Sequence, residues 1–167
     1  AEGNTVLEGI VDAMLRVRAL LLEELASIDG QLTALAKSDP VTRLLMTTPG
    51  VGVIVALTFR SAVDDPDRFP RSRDVGAWAG LTPRRWQSGK TDIVGRITKA
   101  GDPRVRVMLF EAAASILGRA RVISPLKAWG LRIAKRTSMK KAIVAVSRKL
   151  ATILLAMWKS GTAYWAT

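Results

Sequence analysis

Residues 4–37 contain no proline, and Leu7, Met14, Leu21, Ile28 and Leu35 recur there every seven residues. Val11, Leu25 and Leu32 each fall four residues after a member of that series, with Arg18 as the one polar exception. An apolar seam with alternating spacings of three and four, held over about four heptads, is the coiled-coil signature. A charged residue at one seam position can set register or strand number. The same pattern also fits an ordinary amphipathic helix laid on its own domain, and both readings predict one long helix at the front of the chain. Ser38-Asp39-Pro40 ends it and starts the next helix, because proline suits a first helical turn.

The remaining length is enough for one domain with a core, since the chain has 167 residues of which 49% are apolar. No run of about 18 apolar residues predicts a membrane span, and the first residues, AEGNTVLEG, carry no export pattern, which points to the cytoplasm. A start at Ala1 suggests a piece of a longer protein. Cysteine and histidine are both absent, so disulfides, thiolate or imidazole metal sites and His-dependent nucleophilic catalysis cannot come from this chain alone.

Charge divides the chain in two. Residues 1–40 hold seven acids and three bases, a balance of −4, and the remainder holds 23 bases and seven acids, a balance of +16; together they make the net +12. Such a segment favours a nucleic-acid partner, with an acidic membrane surface as the weaker option. Two modules are expected: a coiled-coil helix over 1–39, and a compact helical domain over 40–167.

Within the second module, a short apolar helix, then Pro49-Gly50-Val51-Gly52, then an apolar helix to about Val63 matches the helix-hairpin-helix pattern. There Gly50 and Gly52 would let backbone N–H groups at the second helix face a phosphate. Val53 and Ile54 are unusual in DNA-binding versions, and a buried helical hairpin with a tight glycine turn is the other reading. Asp64-Asp65-Pro66-Asp67 reads as a solvated acidic turn before a metal site. Residues 71–79 predict a short helix with Val75 and Trp78 inward, stopped by Gly80. Asp102, Ser124 and Ser138 are placed as N-caps of helices over about 102–121, 125–136 and 139–160. In the first of these Val105, Leu109, Ala112, Ala113, Ile116 and Leu117 face the core. In the last, Met139, Ile143, Val146, Leu150, Ile153, Leu154 and Met157 form the apolar stripe, with Lys140, Lys141, Arg148 and Lys149 on the wet face.

Between Gly80 and Arg106 the sequence GLTPRRWQSGKTDIVGRITKAGDPRVR carries Arg84, Arg85, Lys90, Arg96, Lys99, Arg104 and Arg106 against Asp92 and Asp102 only. Its glycines at 80, 89, 95 and 101, with Gly76 upstream, free the backbone for close approach. It reads as a basic, glycine-rich loop made to lie against a polyanion, with Ile93, Val94 and Ile97 marking an extended segment or hairpin. Ser88 in its middle is a hydroxyl nucleophile candidate. Cations at Arg84, Arg85, Lys90 and Arg96 would hold a phosphate and take up developing charge. No general base stands near in sequence, so base or metal must come from elsewhere. Ser-Gly is also a common turn pair, and phosphate binding alone is the plainer role.

The blocks PGVG, DPDRF, WAGLTP, SGK and GRITKAGDPRVRVML, in that order over about residues 41–160, resemble the C-terminal transposase domain of a family of bacterial insertion-sequence recombinases. This family is related to Piv-type DNA invertases and, in its mobile-element members, is guided by a bridge RNA. The resemblance implies a DNA transposase whose serine, falling on Ser88, joins DNA covalently during strand exchange. It implies DNA and guide-RNA partners, while the apolar seam of residues 4–37 implies a homo-oligomer. It implies Mg2+ held by a RuvC-like acidic domain that precedes a coiled coil in the family. No such acid tetrad is present here, so no cofactor or metal is assigned to this chain. The fold class is mainly α, with a long coiled-coil helix, a helix-hairpin-helix-like unit and the basic loop. The competing function is a non-catalytic helix-hairpin-helix nucleic-acid-binding module with a coiled-coil oligomerisation helix.

Overall fold

A computed structural model describes residues 5–121 and 123–164. Among them the chain forms helices α1 (Thr5–Ser38), α2 (Pro40–Leu45) and α3 (Val53–Val63), a 3-10 turn (Pro66–Arg68), and α4 (Asp74–Trp78). Strands β1 (Pro83–Ser88) and β2 (Thr91–Ile97) follow, then α5 (Pro103–Gly118), α6 (Pro125–Arg136) and α7 (Met139–Ser160). The fold is mainly helical, as its periodicity predicts. Helix starts are set by side-chain caps: Asp39 accepts from the Thr42 N–H, Asp102 from Arg104, Ser124 from Lys127 and Ser138 from Lys141. Each satisfies an N–H that the first turn leaves without a partner. Two predicted helices are shorter than expected: α4 is confined to Asp74–Trp78, and α5 stops at Gly118.

α7 is the centre of the body, with α2, α4, α5 and α6 all packed against it. Its Val146, Leu150, Leu154 and Leu155 are fully buried. The predicted inward face of α5, from Val105 to Leu117, is buried at every one of its six positions. Met139 departs from its expected stripe and is 48% exposed, since it is the first residue of α7 and lies beyond the core. α6 comes close because Gly130 has no side chain: a Cβ there would stand 2.6 Å from both Leu117 and Val146. Gly50 does the same for the α2–α3 turn. Its φ of +80° suits glycine, and a Cβ would meet Ile116 at 2.7 Å. The tight-turn reading of Gly50 therefore has a packing cause, whereas Gly52 is exposed and a Cβ there would meet nothing within 4 Å.

α1 contrasts with this body. It packs on α2 and α3 near its C-terminal end, where Ala36 is buried. Among the described residues, thirteen of the twenty exposed large apolar side chains lie on α1, including Met14, Leu21, Leu25 and Ile28. The total surface of 11026 Å² exceeds the roughly 8,100 Å² expected of a compact chain of this mass. The α1–α2 joint is pinned by Asp39. Burial pushes its carboxyl up, but hydrogen bonds from Thr42 and the Val41 backbone, with the Arg60 charge 3.7 Å away, outweigh this and hold it below the usual carboxylate range.

No helix among the described residues is long and apolar enough to cross a membrane.

Candidate nucleic-acid interface

The basic stretch is a hairpin. β1 and β2 pair antiparallel with Ser88 opposite Thr91, leaving Gly89-Lys90 as a two-residue turn. Gly89 has φ +55°, and Lys90 is not among the residues with positive φ; this suits the hairpin turn that wants glycine at its first central position. The extended segment or hairpin expected around Ile93, Val94 and Ile97 is thus a ribbon from Pro83 to Ile97, which takes up most of what reads as loop. Every residue from Pro83 to Val94 is exposed, Ser88 included.

Pairing register sorts the side chains by face, because paired residues share a side and neighbours alternate. Trp86 pairs with Ile93 and Ser88 with Thr91, which puts these four on one face. Arg85 with Val94 and Gln87 with Asp92 take the other. A register shift between Pro83 and Arg85 marks a bulge. There Gly95 lies under the Trp86 ring, so that a Cβ would come within 2.4 Å of it. The serine thus shares its face with an exposed indole and a second hydroxyl, and Arg85 is turned away from it.

The seven cations singled out in the sequence divide into two groups. Arg85 donates from Nε and Nη2 to both carboxylate oxygens of Asp92. That hydrogen bond holds Asp92 below the usual carboxylate range and raises the Arg85 guanidinium. Arg84 donates to the Thr98 carbonyl at 3.2 Å. Arg106 donates to the carbonyls of Ala79 and Gly101, both at 3.2 Å. Lys90, Arg96, Lys99 and Arg104, among the described residues, make no side-chain hydrogen bond or ion pair.

Arg106 works at the hairpin's base, where the two legs cross in backbone contact. Gly80, at φ +68°, would place a Cβ 2.7 Å from the Ala100 nitrogen, and Gly101 would place one 1.8 Å from the Trp78 carbonyl oxygen. Thr98 and Lys99 donate backbone bonds to Thr82 and Gly80. The close approach that these glycines allow is of the chain to itself. The hairpin is therefore clamped at its root and free at its tip.

Beside the root, the Arg85 face of the hairpin and α7 enclose a groove of about 1200 Å³. Arg96 and Lys99 of the hairpin, with Lys140, Lys141, Arg148 and Lys149 of α7, line it, and no acid does. Sequence reasoning left the four α7 bases as a solvated face. A signal existed: after Glu111 the chain has 11 bases and no acid. The acidic turn is used structurally, with Asp65 capping the 3-10 turn and Asp67 3.7 Å from Lys159. No group of three or more acids among the described residues could hold a metal ion.

Residues 42–128, just over half of the chain, match the family described as Transposase IS116/IS110/IS902 family. The chain belongs to this transposase family. It is 34% identical over 146 residues to a putative transposase of Sinorhizobium fredii, covering 84% of this chain and 37% of that protein. It is 31% identical over 157 residues to the transposase for insertion sequence element IS1111A of Coxiella burnetii, covering 89% and 43%. Similarity extends to the pilin gene-inverting protein of Moraxella bovis, 29% identical over 143 residues, covering 81% and 43%. The chain thus spans less than half the length of these relatives. The family's matched region takes in α2 to the start of α6, so the hairpin and Ser88 lie inside it, whereas α1 and α7 lie outside.

Proposed function

We propose that this chain is the serine-bearing segment of a DNA transposase, binding DNA and a guide RNA and supplying Ser88 as the nucleophile of strand exchange. The observation that carries this is Ser88 exposed at the tip of a cationic hairpin within the family's matched region. In the step proposed, a Ser88 Oγ–phosphorus bond forms as a phosphorus–oxygen bond to deoxyribose breaks. The serine proton leaves to a base and the departing sugar oxygen becomes a hydroxyl. Attack by a second strand's hydroxyl reverses the link, so the number of phosphodiester bonds is conserved. Lys90, beside the serine in the turn, is placed to neutralise the phosphate. Arg96, Lys99 and Arg104 add salt-dependent backbone affinity. Arg84, Arg85 and Arg106 keep donors beyond those they spend internally, since a guanidinium has five N–H groups.

No residue near the tip serves as base: Asp92 is bound to Arg85 on the opposite face. Mg2+ does not fit the acids of the described residues; we assign it to an acidic domain of the full-length protein. α1 is assigned to self-association in the cytoplasm. Beside the predicted seam run Val6, Ile10, Ala13, Val17 and Leu20, also spaced four and three apart. An apolar face that wide suits a bundle of more than two helices.

The test is recombination by a full-length protein carrying this segment. Ser88→Ala abolishes it while leaving nucleic-acid binding intact, and Thr91→Ala does not. Recombination by Ser88→Ala at the wild-type rate would leave the second reading, a non-catalytic module in which Ser88 only hydrogen-bonds a phosphate and Gly50 and Gly52 present helix N–H groups to another. That reading is favoured by Asp92, the carboxylate four residues from Ser88, being turned to the opposite face and bound to Arg85.

A further inference from the structure

The groove between α7 and the hairpin belongs to neither the serine nor its face of the ribbon. We propose that it is the seat of one unpaired nucleic-acid strand, with phosphates on its cationic residues and nucleobases on its apolar ones. This rests on the nucleic-acid-binding part of the reading above and is independent of the role of Ser88.

Three observations lead there. The first is charge. Six bases line the groove with no acid among the lining residues, and none of the six is in an ion pair among the described residues. Like charges gathered without counter-charge cost stability through mutual repulsion, and a bound polyanion relieves that cost. The second is apolar surface. Leu81, Pro83, Val94, Ile97 and Val144 give the groove apolar lining among the bases. A duplex keeps its bases stacked inside and would offer this lining only sugar and phosphate. An unpaired strand offers phosphates to the cations and ring faces to the apolar lining, the combination on which single-strand binding depends. The third is Trp129, which edges the groove with the Lys149 ammonium 4.7 Å from its ring centroid. The ring holds that ammonium at the groove's edge, where a phosphate can reach it.

Volume and position narrow the occupant. About 1200 Å³ is larger than the 300–1,000 Å³ typical of small-ligand pockets, so a strand of several nucleotides fits better than a mononucleotide. Because Val94 and Ser88 sit on opposite faces of the ribbon, the strand in the groove passes behind the hairpin. It is a different strand from the one Ser88 meets, or a different stretch of it.

The experiment measures binding of the 167-residue chain to fluorescein-labelled 20-mers of oligo-dT, oligo-U and a mixed-sequence duplex, over a salt series. Lys141→Gln/Lys149→Gln removes two exposed groove cations, and Lys90→Gln removes one at the hairpin tip. Lys140→Gln serves as a second groove variant, and circular dichroism melting confirms that each folds. The wild type is expected to bind oligo-dT or oligo-U at least tenfold more tightly than duplex. The two single-strand arms distinguish DNA from RNA. The double groove variant should lose that preference, with its log–log salt slope reduced by about 1.4, at roughly 0.7 per lost single-strand phosphate contact. Lys90→Gln should keep the preference.

Single-strand binding unchanged in both groove variants would overturn the groove while leaving nucleic-acid binding itself in place. Equal weakening for duplex and single strand would overturn the unpaired-strand assignment. A change in sedimentation of the groove variants, with binding unaltered, would show the occupant to be the acidic α1 of a second copy and overturn the proposal. No binding of any probe by the wild type would remove both this inference and the reading on which it rests.

Discussion

The root and the tip of the hairpin are made from the same kind of sequence, glycine and arginine with few apolar residues, yet they are opposite in construction. At the root, Gly80 and Gly101 let two chain segments touch backbone to backbone, and Arg106 closes three elements together. At the tip, Gly89 has nothing within 4 Å of where its Cβ would be, and Ser88 is exposed. A two-stranded ribbon is marginal on its own, so the root supplies the order that the tip needs. Stability and chemistry are therefore separated along about seven residues of strand, at a strand rise near 3.3 Å per residue. Substitutions should divide accordingly.

Gly101→Ala should show the largest effect. A Cβ 1.8 Å from the Trp78 carbonyl oxygen cannot be relieved by a side-chain rotation, and a loss of about 3 kcal/mol or more is expected in urea unfolding. A variant as stable as wild type would mean that the root is not clamped. Asp39→Ala, in the helical body, should cost about 1 kcal/mol through loss of the α2 cap. Its carboxyl is depressed in the folded state, so the stability it contributes is present above the unfolded value near 3.9 and is lost as pH falls through the folded one. Wild type and Asp39→Ala should therefore converge in stability in strong acid; a gap that persists there would assign the effect to packing.

Asp92→Asn acts midway along the ribbon. The residue is fully solvated, so the melting temperature should not move measurably. Amide exchange in β1 and β2 should quicken as the Arg85 pair is lost. In the wild type, the Asp92 carboxyl should titrate below the ordinary aspartate range, because Arg85 stabilises its charged form; as pH falls through that value the pair opens. A normal titration would show the pair to be absent in solution.

The parts of this molecule that were legible in its sequence are those governed by local rules. Asp102, Ser124 and Ser138 begin helices because a short oxygen side chain and a following turn suffice to do so. The six inward positions of α5 follow from a period of 3.6. The basic stretch was legible in composition and only partly in form: Ile93, Val94 and Ile97 marked the second strand, whereas the arginines and polar residues of Pro83–Ser88 hid the first. Register decides which face Ser88 shares, and register depends on the bulge at Gly95, which no local pattern announces. The α7 bases looked like an ordinary wet face. Only the hairpin folding back beside Lys140, Lys141 and Lys149 turns that face into a wall of a groove. The structural part that Arg106 plays was not legible, because charge alone does not show that one of its nitrogens holds the carbonyls of Ala79 and Gly101.

Ser88→Ala should leave stability within about 0.5 kcal/mol of wild type and have the largest effect on chemistry. The most direct measurement traps the covalent step: a full-length protein carrying this segment is incubated with labelled DNA containing its recombination site and quenched in denaturant. The adduct is digested and the linked peptide sequenced by mass spectrometry. The account predicts a nucleotide joined to the peptide that contains Ser88, absent in Ser88→Ala and present in Thr91→Ala. A nucleotide joined to Thr91 or to any other residue, with Ser88 unmodified, would contradict it.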